Sequence, residues 1–153
     1  MGQLRINAAA PNLVNLCIDH LSDGEYSGRI YHKYVKDPLP FNESGQMIAI
    51  LDKFFDEINY PQASTKYRTF QKKKKGQDVA SVRYQEEKKQ IQTAEDILQS
   101  RGKEATFILH VQYRQNSTWQ GKLTWLEEED EELFSSVLEL LKLLDSAIFM
   151  EEA

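Results

Sequence analysis

The sequence predicts an α+β fold. Two ββα repeats form a four-stranded antiparallel sheet with two helices on one face, a two-layer sandwich. Three observations predict it. Gly28-Arg29-Ile30 returns 93 positions later as Gly121-Lys122-Leu123, and Tyr26, Asp37, Phe41 and Leu51-Asp52 return at that spacing as Trp119, Asp130, Phe134 and Leu144-Asp145. Segments alternating apolar and polar residues are each followed by a segment whose apolar residues recur at three and four. Turn formers separate them, with Asp23-Gly24 in one copy and Asn116-Ser117 in the other. An isolated hairpin is marginal in water, so two such units need to share one sheet.

The first repeat covers about 13–58. In its opening strand Val14, Leu16, Ile18 and His20 take one side, and Asn15, Cys17 and Asp19 the other. Asp23-Gly24 is a strong hairpin signal, because both positions tolerate positive φ. On the return strand Tyr26, Gly28, Ile30, His32 and Tyr34 alternate with Ser27, Arg29, Tyr31 and Lys33. Asp37-Pro38-Leu39-Pro40 stops it, since proline cannot donate to a ladder. A helix follows over roughly Ser44 to Ile58, with Met47, Ile48, Leu51, Phe54, Phe55 and Ile58 as its apolar stripe.

The second repeat covers about 106–151. Phe107, Leu109, Val111 and Tyr113 form the inward set of its first strand, and Trp119, Leu123 and Trp125 that of its second. Ser136 and Glu139 have the spacing of a capping box before the stripe Val137, Leu140, Leu141, Leu144 and Ile148. An insertion or linker spans 59–105. It holds a Tyr60-Pro61-Gln62 turn, an edge strand from Thr65 to Phe70, the run Lys72-Lys73-Lys74-Lys75, and helix over part of 78–100. No boundary makes the insertion a separate domain, so 1–153 is read as one pseudo-symmetric domain.

With 153 residues and 41% apolar residues, the chain can bury a real core. A net charge of −5 argues against a wholly basic nucleic-acid binder, though a local basic surface stays open. The single cysteine excludes an internal disulfide. No apolar run is long enough to cross a membrane as a helix. The N-terminus has no secretory apolar core, and the expected location is cytoplasmic.

If the helices cover the Ile18/Ile30/Val111/Leu123 face, the opposite face shows Arg29, Tyr31, Lys33, Arg114 and Lys122, with Asp19 as the single acid. Solvation alone accounts for a polar exposed face. The functional alternative is a platform for an anionic partner, with Tyr31 for stacking and Lys72, Lys73, Lys74 and Lys75 as further phosphate contacts. The acidic run Glu127 to Glu132 precedes the second helix, where it favours the helix dipole, and it also suits attraction to the lysine run. It lacks the spacing of a calcium loop, so no metal site is assigned. Cys17 and His110 occupy equivalent places in the two repeats, and a Cys–His pair is chemically competent. No nucleophile motif surrounds them, and an enzyme is the minority reading. No glycine-rich phosphate loop or zinc spacing is present, and no cofactor is expected. Ile50, Leu138, Leu143 and Phe149 lie off the helical stripes and suit packing between the helices, a homodimer or a partner helix.

Thr118 to Leu126 with Phe134 to Leu141, and Gly28 to His32 with Tyr60 to Ala63, resemble segments of conserved bacterial proteins without assigned function. The resemblance implies a soluble bacterial protein and supplies no activity, ligand or site residue. The sequence therefore points to a non-enzymatic binding or adaptor module acting on a protein partner or a second copy of itself. The alternative is single-stranded nucleic acid or another polyanion, and an enzyme using Cys17 and His110 is third.

Overall fold

The computed structural model describes residues 5–62, 89–115 and 118–149. Asp23 and Gly24, with φ of 51° and 75°, make the tight turn joining β1 (Val14–Ser22) to β2 (Glu25–His32). A short β3 (Leu39–Phe41) and helix α1 (Ser44–Ile58) follow. After a one-turn helix α2 (Ala94–Leu98) come β4 (Ala105–Gln115), β5 (Thr118–Trp125), β6 (Asp130–Phe134) and helix α3 (Val137–Ile148).

The fold is α+β, but the sheet has six antiparallel strands, not four, in the order β3-β2-β1-β4-β5-β6. Neither half is the expected ββα unit; each runs strand, strand, strand, helix. The two added strands lie at the sheet's edges, one in the segment read as a breaker and the other in the acidic run read as preceding the second helix. Pro40 sits opposite Arg29 in β3, where an edge position tolerates its missing N–H. The acidic run does not lead directly into a helix; Glu127 to Glu129 form a turn and Asp130 to Glu132 enter β6. The proposed strand at 65–70 and the Asn116-Ser117 turn fall outside the described residues. Of the helix expected within 78–100, the described part is α2.

The first strands of the two halves form the central pair, with Leu16 opposite Phe107. Leu16, Ile18, Ile30, Phe107, Leu109, Val111 and Leu123 turn one face toward Met47, Leu51 and Phe55 of α1 and Leu140 and Leu144 of α3. Glu43 gives α1 no side-chain cap. Glu25 of β2 replaces it, accepting the Ser44 N–H at 2.9 Å. Ser136 caps α3 by accepting the Glu139 N–H at 3.0 Å. The Glu139 carboxylate takes the Ser135 hydroxyl, so the capping box is only half made.

The second face of the sheet is not open. Ala10, Leu13, Ile97 and Ile108 are buried together there, with Ile6, Tyr31, Ala94, Leu98 and Leu126 packed around them. The segment before β1 and the α2 region thus form a partial third layer. Ile108 and Leu126, apolar members of an otherwise polar set, are the residues that call for this cover.

Each long hairpin contains a bulge, between Ile18 and His20 and between Val111 and Tyr113. Gly28 and Gly121 lie beside these bulges, opposite Ile18 and Val111. A Cβ on Gly28 would overlap the carbonyl oxygen of Cys17, and one on Gly121 that of His110. A backbone obstacle cannot rotate away as a side chain can. Gly28→Ala and Gly121→Ala are each expected to cost about 3 kcal/mol or more, read as a lowered urea midpoint. A midpoint unchanged in either variant would contradict this packing.

Candidate functional site

Among the described residues, the cations expected to form an anion platform, Arg29, Lys33, Arg114 and Lys122, are each engaged with the chain's own backbone. Arg29 pairs bidentately with Asp19, at 2.8 and 3.1 Å, and donates to Arg101 O at 3.0 Å and to Tyr31 Oη at 2.5 Å. Lys33 is buried and donates to Ala8 O at 2.7 Å. Lys122 donates to Arg5 O and pairs with Glu131 at 2.9 Å, while Glu131 accepts the Arg5 N–H. Arg114 lies on the opposite face from the one predicted, because the bulge after Val111 reverses the alternation of β4. It is buried against the end of α1, donating to Pro61 O at 2.6 Å and Phe55 O at 3.3 Å and pairing with Asp56 at 2.7 Å. Tyr31 is half-buried and packs in the second-face cluster. Lys72, Lys73, Lys74 and Lys75 fall outside the described residues.

Cys17 and His110 are not brought together. Cys17 pairs with Thr106, four residues from His110 along β4, which at about 3.4 Å per residue separates them by roughly 14 Å. Burial pushes the Cys17 thiol up to about 11 and holds the buried His110 imidazole below its usual value. Such a cysteine is overwhelmingly thiol at neutral pH, the wrong form for a nucleophile. Among the described residues no group of three or more His, Cys, Asp or Glu is placed to hold a metal.

A different site lies between each helix and the outer strands. On the first half, Phe54 stacks on His32 with ring centroids 3.7 Å apart, and the remaining groove, about 290 Å³, has Lys53 and Glu57 among its lining residues. At the 93-residue spacing, Phe54 corresponds to Ala147 and His32 to Trp125. The small side chain leaves a groove of about 400 Å³ lined by Phe107, Leu123, Trp125, Leu143 and Ala147, with Asp130, Glu132 and Ser146 supplying its polar groups. Trp125 stacks on Phe107 at 5.9 Å, and its buried Nε1 has no acceptor among the described residues. The arrangement is an aromatic and aliphatic floor beside two carboxylates, suited to an apolar group attached to a cation. Alternation marked Trp125 as core, but only setting the two helices against each other shows an alanine where the other half has a phenylalanine. No family model, curated protein or solved structure matches the chain.

The Asp19 clamp is sensitive to acid. Partial burial raises the pKa of Asp19, but hydrogen bonds from Arg29 and the Lys103 N–H outweigh it and hold the carboxyl below the usual carboxylate range. A carboxyl depressed in the folded state adds stability above its unfolded pKa of about 4, lost as pH falls through the folded value. Asp19→Asn should therefore lower the urea midpoint at pH 7, and the gap from the wild-type chain should shrink in the acid limb below pH 4. An equal gap at both pH values would contradict the clamp.

Proposed function

We propose that this chain is a non-enzymatic binding module that acts by contact with another polypeptide, through the groove between α3 and the β5–β6 edge. The observation that carries this reading is Ala147, where a phenylalanine fills the corresponding place in the other half. With the small side chain there, Trp125, Phe107 and Leu143 line an open apolar depression beside acids. Its size lies within the range of sites that take one or two side chains or a small ligand. The polyanion alternative is weakened by the internal engagement of Arg29, Lys33, Arg114 and Lys122, and it rests on Lys72 to Lys75. The enzyme reading loses its pair of residues, since Cys17 and His110 lie four positions apart in register.

Selection from a displayed library of random peptides against the full chain tests the proposal, with Ala147→Phe as the comparison. Ala147 borders open space, so the larger side chain should be accommodated with the thermal midpoint shifted by only a few degrees. Peptides carrying a large apolar residue should be recovered on the wild-type chain and lost on the variant. Equal recovery on both chains, or no recovery on either, would overturn the proposal.

A further inference from the structure

We infer that the polypeptide taken by the groove is an extended cationic segment that adds as a further strand along β6, an inference resting on the binding reading above. The two edges of the sheet differ. β3 is three residues long with Pro40 at its centre, so it offers a poor ladder. β6 is five residues long, contains no proline, and has no strand on its outer side among the described residues. The Glu131 N–H is taken by Asp130 Oδ1 at 2.9 Å, and the remaining outward N–H and C=O groups form the template.

The side chains of β6 state what that template accepts. Asp130 and Glu132 pair with Trp125 and Leu123, which places them on the helix face beside the groove. No ion pair within the described residues neutralises either one, whereas Glu131 is taken up by Lys122 and Arg5. On the other face Leu133 is 70% exposed. A second copy presenting the same edge would set acid against acid, which disfavours self-pairing. An incoming strand with Lys or Arg opposite Asp130 and Glu132 gains cross-strand attraction on the groove side, and its alternate apolar side chains fall on the other face, where one covers Leu133. Charge complementarity thus specifies a basic, alternating peptide.

The probe is a labelled nonapeptide alternating lysine and valine with a central leucine, titrated into the full chain at low salt. The amide signals of residues 130–134 should shift, and affinity should fall at least tenfold for a peptide with glutamate in place of lysine. Asp130→Lys with Glu132→Lys should weaken binding by at least tenfold, with folding checked by circular dichroism. On the wild-type chain, N-methylation of the peptide amides that face β6 should abolish binding. Binding unaffected by N-methylation, unaffected by the charge reversal, or leaving 130–134 unshifted would overturn the inference. If it falls while library peptides still depend on Ala147, the groove reading survives; if no peptide depends on Ala147, both fail.

Discussion

Hydrogen bonds to backbone carbonyls from three strand-borne cations, and from Lys33 in the turn just after β2, hold the non-sheet segments in place. Arg29 holds Arg101, Lys33 holds Ala8, Lys122 holds Arg5, and Arg114 holds Phe55 and Pro61 at the end of α1. The Arg101 and Arg5 carbonyls are met at exposed positions, whereas that of Pro61 is met in a buried one, where an unpaired carbonyl costs about 1–3 kcal/mol. Arg29 is fixed further by Asp19, which also accepts the Lys103 N–H, so one ion pair fastens the approach to β4. Burial that pushes Lys33 below its ordinary value is the electrostatic cost of this arrangement.

These latches govern where the molecule has surface to offer. With α1 and α3 on one face and the Ile6–Leu13 and α2 segments on the other, much of the sheet interior is closed. Partner contact shifts to the margins, where the two halves differ. One margin carries Pro40 and a stacked His32–Phe54 pair. The other carries an uninterrupted acidic strand and an alanine beside Trp125. A shared arrangement of elements thus presents one blunted edge and one receptive edge.

The central strands and both long helices are legible in the sequence because period-two and period-3.6 patterns are strong there. The edge strands are not. Pro38 and Pro40 are breakers in any interior strand, and a run such as Glu127 to Glu132 carries no alternation. Their pairing depends on Gly28 and Gly121 lying opposite Phe41 and Phe134, a tertiary relation. The bulge after Val111 moved Arg114 to the other face, since one extra residue inverts the alternation. The charge of Arg29, Lys33 and Lys122 was legible, but the carbonyls that take it belong to residues 72, 25 and 117 positions away. The Ala147 groove was readable by setting the two halves against each other at the 93-residue spacing, though only packing shows that no described residue fills it.

Competitive acylation of the folded chain, read by mass spectrometry, tests the latches most directly. Lys33 is 4% exposed, and the side chains of Lys122 and Lys53 are 18% and 80% exposed. The account predicts that Lys53 reacts at least tenfold faster than Lys33 and clearly faster than Lys122, with the differences disappearing in urea. Equal rates for all three lysines in the folded protein would mean that the carbonyl contacts do not hold, and that the second face is open after all.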